Sequence, residues 1–306
     1  MVRHIAQRFL LTLPALWLVL TLVFMMIHIV PGDPVEQMLG EGAAPGELEQ
    51  LRHALNLDQP LLVQYGHYLK QLVRGDLGQS FKFQAPVRRI IFERYPATLQ
   101  LAFLALMVCA AIAIPAGIVA AYRRGRSSDR VVSLLTLFGL AFPNFALGPV
   151  LILLFSIALG LLPVSGRGGP TFYILPAATL GAALAAILTR MVRGSMLEEL
   201  SSDYVRAARA KGLPMRAVLF RHAFRNALIP IVTILGLQFG TLLAGTIVTE
   251  TIFSWPGIGR LTVQAISARD YPLLQGCILV IAVSYVLVNL ITDVLYAVID
   301  PRVRLA

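Results

Sequence analysis

Six stretches of the chain are almost free of charge, at about 9–30, 97–121, 132–162, 174–192, 228–249 and 277–299. A run of about 18 or more apolar residues can cross a bilayer as a helix, since a helix bonds its own backbone polar groups. The pattern predicts an all-α integral membrane protein with six transmembrane helices. The third run is too long for one straight crossing, and Phe142-Pro143-Asn144-Phe145 and Gly148-Pro149 interrupt it. Proline removes a helix donor and clashes with the preceding turn, so a kink near Pro143 is predicted. The first run follows Arg3 and Arg8 and ends at Pro31-Gly32-Asp33-Pro34. It is longer than the core of a secretion signal, so it is expected to stay as the first span.

The polar intervals divide the chain into an N-terminus with the first helix (1–30), an extracytoplasmic segment (31–96) and a five-helix core (97–306). Within 31–96, Gly46 to Leu57 and Leu61 to Val73 have helical apolar spacing, the second with a stripe at 61, 62, 65, 68, 69 and 72. Such a stripe suits a membrane surface or the flank of the spans. Lys and Arg then set the orientation. The N-terminus, the 122–130 and 193–227 loops and the C-terminus hold sixteen, counting Arg190, against three in the short loops of the other side. Both termini are therefore expected in the cytoplasm.

Composition agrees with this picture. The chain is 57% hydrophobic and 14% charged, where a soluble domain carries about 25% charged residues. The net charge of +10 is explained by basic loops between apolar runs, and no nucleic-acid motif accompanies it. Cys109 and Cys277 fall in or beside apolar runs and suit packing. No metal-ligand pattern, nucleophile elbow or GxxxxGK[ST] phosphate cradle occurs. The chain is therefore read as no enzyme, with no cofactor or metal of its own, and any ATP-driven step falls to another polypeptide.

The 193–227 loop is basic yet patterned for order. Ser201 or Ser202 is placed to cap a helix by accepting from its first amides. Asp203 suits the positive helix N-terminus, and Arg209 and Lys211 suit the negative end. Gly212 can take the left-handed conformation that closes a helix, and Pro214 stands where the next can begin. The result is a short helix, a sharp turn and a second helix running into the fifth span. A rigid helix there can transmit force from a docked partner, or the loop can simply lie beside anionic lipid.

This loop also resembles the signature of bacterial ABC importer permeases, with Arg206-Ala207-Ala208 at the Glu-Ala-Ala triplet and Gly212 at the expected distance. Arg206, His222, Phe224 and Arg225 depart from the generic pattern. The whole chain is similar to the B-type permeases of dipeptide, oligopeptide, glutathione and nickel ABC importers. The carrying motifs are Pro31-Gly32-Asp33-Pro34, Gly75-Asp76-Leu77-Gly78-Gln79-Ser80, Arg209-Ala210-Lys211-Gly212, Glu250-Thr251-Ile252-Phe253-Ser254-Trp255-Pro256-Gly257-Ile258-Gly259 and the stretch from Asp293 to Pro301. That resemblance implies a type I ABC importer permease fold in a bacterial inner membrane. It implies a homologous second permease, two ATPase subunits carrying ATP and Mg, and an extracytoplasmic solute-binding protein. It implies ATPase coupling through Asp203, Arg206, Ala207, Ala208, Lys211 and Gly212. The Phe253-Ser254-Trp255-Pro256 stretch and the chain length look most like the dipeptide and glutathione branches.

Polar residues inside spans are costly and usually face protein or water. Asn144, Gln238, Thr241, Gly245, Thr246 and Glu250 are the candidates for a translocation pathway, with backbone satisfaction at the kink and small-residue helix packing as the competing roles. A secondary transporter or channel acting without an ATPase is the rival class. Such carriers often show inverted repeats and intramembrane ion sites, and neither is visible here.

Overall fold

A computed structural model describes residues 2–29, 35, 44–54 and 57–299. The fold is helical apart from one small hairpin. Helix α1 spans Val2–Ile29, α2 Pro45–Ala54 and α3 Leu61–Val73. Strands β1 (Gln79–Ser80) and β2 (Ala85–Pro86) pair antiparallel, with Gln79 opposite Pro86. Then come α4 (Val87–Tyr122), α5 (Ser127–Ala141) and α6 (Asn144–Leu151), which runs on as a π-helical stretch at Ile152–Ala158. Helix α7 is Thr171–Leu200 and α8 Asp203–Ala210. Helix α9 covers Met215–Gly245, with a π-helical stretch at Val218–Ala223, followed by α10 (Ile247–Ile252), α11 (Ile258–Ser267) and α12 (Tyr271–Ile299).

Among the described residues, α4, α7, α9 and α12 are each long and apolar enough to cross a membrane. The α5 and α6 pair makes a fifth candidate, bent by 108°. The break falls where the proline signal placed it: α5 ends at Ala141, Phe142 is extended and Pro143 precedes α6. Within α1 the apolar helix covers Leu10–Met25, shorter than the other candidates. Six spans are thus the sequence expectation, while the helices meeting the length and apolarity criteria number four, or five with the bent pair.

Some boundaries differ from the hydropathy reading. Helix α4 begins at Val87, ten residues before its apolar run, because Pro86 opens it and Arg88, Arg89, Glu93 and Arg94 extend it as a polar first section. The segment expected to end at 96 therefore gives way to helix at 87. The Pro31 to Pro34 motif and the Asp300-Pro301 end of the last motif lie outside the described residues.

The core is the α4–α7 contact. Small residues line it, and a Cβ on Gly181 would lie 2.6 Å from the Ala105 carbonyl oxygen. Backbones this close exclude any larger side chain and maximise dispersion contact where water supplies no driving force. Val192, Met196 and Leu188 of α7 continue the packing toward Val205 and Ala208 of α8 and Val218, Leu219 and Ala223 of α9. Helices α9 and α12 meet through Gly236 and Gly240, where a Cβ on Gly236 would lie 2.4 Å from Thr292 Oγ1. Gly236→Val is expected to lower the melting temperature of the purified protein by an overpacking cost of about 1–3 kcal/mol. Gly245→Val, with nothing within 4 Å of its Cβ position, is the matched control and should melt like the parent.

The segment between α1 and α4 is pinned at two places. Helix α3 lies along α1: His28 Nε2 is 3.0 Å from Gln64 Oε1, and the Tyr65 and Thr21 hydroxyls are 2.8 Å apart. Gln64, beside the stripe, is buried in this contact, while Leu61 and Leu62 of the stripe stay exposed. The hairpin is held by buried Asp270, which accepts from Ser80 Oγ (2.5 Å), the Lys82 amide (3.1 Å) and the Leu273 amide (3.2 Å). Its Oδ1 caps the start of α12 while Oδ2 fixes the hairpin.

Candidate functional site

Helix α8 is amphipathic. Val205 and Ala208 are buried in the core shared by α4, α7 and α9. Asp203, Arg206, Ala207 and Lys211 face outward. Asp203 and Arg206 form an exposed ion pair one turn apart, a contact that adds little to stability in water and leaves the charged face available. The two alanines of the triplet thus part: Ala207 is exposed and Ala208 anchors the helix.

The helix ends as its sequence suggested. Gly212 has φ +78°, its amide donates to the Arg209 carbonyl (3.0 Å), and the Leu213 amide donates to the Ala208 carbonyl (3.4 Å). These are the paired bonds of a Schellman turn, which puts a left-handed glycine one residue beyond the helix. Pro214 then opens α9.

The start of α8 differs from expectation. Ser202 stands at the N-cap without a side-chain bond to the helix. The Ser201 hydroxyl donates to the Glu198 carbonyl (2.7 Å) and the Ser202 hydroxyl to the Glu199 carbonyl (2.6 Å). Both serines directly follow α7, so its unpaired last carbonyls are the nearest partners and win the competition. Tyr204 supplies the fixation instead. Its hydroxyl donates to Glu199 and accepts from Asn226 Nδ2 at 3.0 Å, tying α8 to α7 and α9. Burial, followed by the Glu199 carboxylate, raises the pKa of its phenol, which therefore stays a donor. Nothing in the spacing of the loop marked Tyr204 for this role.

The pathway candidates separate into two groups. Thr241 and Gly245 lie open on one face of α9, with Leu237 and Ala244 along it. Gln238 is buried: its Nε2 donates to the Leu184 carbonyl (3.2 Å) and its Oε1 lies 3.5 Å from Cys109 Sγ. Thr246 and Glu250 are also enclosed, and the Thr246 hydroxyl donates to Glu250 Oε1 at 3.2 Å. Asn144 begins α6, and its side chain lies outside the described part of the chain.

Glu250 has no exposed surface. Its carboxylate accepts from Thr98 Oγ1 (2.7 Å), the Arg260 amide (2.9 Å) and the Gly259 amide. The Thr98 hydroxyl accepts in turn from the Ile258 amide at 2.9 Å. Together they satisfy the first free amides of α11, and a carboxylate is the group that a helix N-terminus favours. Gly257 makes this possible, since a Cβ there would lie 2.2 Å from Glu250 Oε1. Trp255 is buried beside it, donating Nε1–H to the Ala97 carbonyl at 3.0 Å, with Tyr173 edge-on at 4.7 Å. The Glu250 to Gly259 motif is therefore a packed knot joining α4, α7, α10 and α11, with its Trp in the interior. Glu250 is an internal cap here and contributes no surface to a pathway.

Among the described residues, no group of three or more His, Cys, Asp or Glu is placed to hold a metal ion. The arrangement leaves two surfaces of candidate residues exposed: the charged face of α8 and the face of α9 at Thr241 and Gly245.

Two family descriptions match the chain. Residues 113–305 match the binding-protein-dependent transport system inner membrane component, and residues 1–102 match its N-terminal region. The glutathione transport system permease protein GsiC of Escherichia coli K12 is 44% identical over 304 residues, 99% of each chain. That of Shigella dysenteriae serotype 1 is similar to the same extent. Among solved structures, a chain of the inward-facing MetNI methionine ABC transporter aligns with a TM-score of 0.59 at 17% identity, covering 69% of this chain and 96% of that one. This second likeness is one of fold.

Proposed function

The chain belongs to the family of binding-protein-dependent transport system inner membrane components, non-catalytic membrane subunits of ABC importers, and from that premise we propose that its cargo is glutathione or a short peptide. The observation that carries the proposal is 44% identity to a glutathione permease across 99% of both chains. ATP is bound by partner ATPases, with Mg, and a binding protein delivers solute. In this reading the chain crosses the inner membrane six times, counting the α1 apolar stretch and the broken α5–α6 pair, with both termini in the cytoplasm. It pairs with a homologous second permease, and two ATPase subunits dock from the cytoplasm.

Asp203, Arg206, Ala207, Lys211 and Gly212 present the contact to an ATPase. Ala208 and Val205 hold that contact against the spans. This reading is supported by the division of α8 into one buried and one charged face. The pathway is lined from this chain by the open α9 face at Thr241 and Gly245 and by Asn144 at the break, opposite the second permease.

Co-reconstitution with partner ATPases, a second permease and a binding protein tests the proposal. Labelled glutathione should accumulate only with ATP, Mg and the binding protein, and unlabelled short peptides should compete. Accumulation without the ATPases would overturn it in favour of a secondary transporter or channel.

A further inference from the structure

One ion pair near α8, with a buried carboxylate and a partly exposed arginine, has no part in the reading above. Asp129, in the first turn of α5, is 5% exposed. Arg193 of α7 reaches it with both arms of its guanidinium: Nε donates to Oδ1 at 2.7 Å and an Nη to Oδ2 at 3.0 Å. Oδ2 also accepts the Gly125 amide at 2.9 Å, from a turn in which Gly125 has φ +77°. A bidentate arginine–carboxylate pair fixes angle as well as distance. This one ties the 122–130 turn and α5 to a helix 64 positions away in sequence.

The place of the pair gives it a mechanical meaning. Arg193 lies on α7 between Val192 and Met196, both fully buried. Those two side chains belong to the cluster that holds Val205 and Ala208 of α8. A displacement of α8 therefore presses on the α7 turn that carries Arg193. On the other side of the pair, α5 meets α7 again about 15 Å further along, ten residues at 1.5 Å each: a Cβ on Gly139 would lie 3.0 Å from Ala186 Cβ. Two attachment points make α5 and α7 move as one body. The chain regains freedom at the extended Phe142, where the broken span turns by 108°.

We infer that Asp129 and Arg193 are positioning residues for coupling: they form the strut by which a push on α8 moves α5 and changes the break at Phe142-Pro143. This rests on α8 being the contact with the ATPases. The strut touches neither cargo nor nucleotide. It sets whether the motion of one end of the molecule reaches the middle.

The test uses the assembled complex in lipid vesicles with a cysteine replacing Phe142, which is exposed, as a reporter of the break. The native Cys109 and Cys277 are buried. N-ethylmaleimide labelling at 142 is compared with and without ATP and vanadate. With the native pair, trapping should change the labelling rate. In Asp129→Asn that change should shrink about fivefold or more, the lower edge of coupling between linked sites. ATP hydrolysis and retention of the ATPase subunits should persist. Arg193→Lys keeps the charge but loses the fork, and should retain part of the response. It also serves as the informative variant should Asp129→Asn fail to assemble.

A merely structural brace would lower yield or melting temperature and leave the trapping response of the assembled fraction intact, which would overturn the inference. So would an unchanged labelling rate on trapping in the native-pair complex. Gly212→Val separates the two proposals. If it leaves the response intact while Asp129→Asn removes it, the pair still carries motion to the break, but the push does not enter through α8 and that part of the inference is overturned.

Discussion

Glu250→Ala is expected to leave almost no stably folded protein in the membrane. The substitution strips acceptors from the Gly259 and Arg260 amides at the start of α11 and from the Thr98 and Thr246 hydroxyls. A buried donor left unpaired costs about 1–3 kcal/mol, so the two amides alone account for roughly 2–6 kcal/mol, a large share of the margin of a typical domain. Glu250→Gln keeps one oxygen and should be milder. Gly257→Ala should resemble Glu250→Ala although it removes nothing, because its Cβ would occupy the place of the carboxylate. Membrane abundance and thermal unfolding in detergent measure this. A Glu250→Ala protein that melts with the parent would refute the internal-cap role and return Glu250 to the pathway candidates.

Gly212→Val is expected to abolish ATP-driven uptake while the spans remain inserted and the ATPases still turn over. Gly212 sits at φ +78°, where a β-carbon meets the following carbonyl at about 1–2 kcal/mol, with more for a branched side chain. The Schellman turn is the weakest point of the region, because it is exposed and held by only two backbone bonds. It should yield before the buried anchors Val205 and Ala208 do. The outer face of α8 then loses its fixed angle to α9. The ratio of glutathione accumulated to ATP hydrolysed, in reconstituted vesicles, is the measurement. An unaltered ratio would remove α8 from the mechanism.

The spans and their interruption were legible because each depends on a local property. Length and apolarity mark α4, α7, α9 and α12, and Pro143 marks the break by removing a donor. The Gly212 turn was legible for the same reason, as only glycine sits comfortably at that angle. What stayed hidden depends on partners distant in sequence. Asp129 and Arg193 are 64 positions apart, and Thr98 and Glu250 are 152 apart. A carboxylate near a span end has the same local signature whether it faces a water-filled path or caps a helix. For Glu250 the clue lay in Gly257 and Gly259, whose missing side chains leave room for it. Ser201 and Ser202 misled for a related reason: a hydroxyl donates as readily as it accepts, and the end of α7 lay nearer than the start of α8.

The bond between Ser80 and Asp270 spans 190 residues, which bears on how the protein is made. At about 5–20 residues per second, roughly 10–40 seconds of translation separate the two partners. During that interval the hairpin is a strand pair without its final acceptor. In the orientation proposed above, it would wait on the outer side of the membrane until Asp270 is made, so a chain stopped before that residue would present an unclasped segment there.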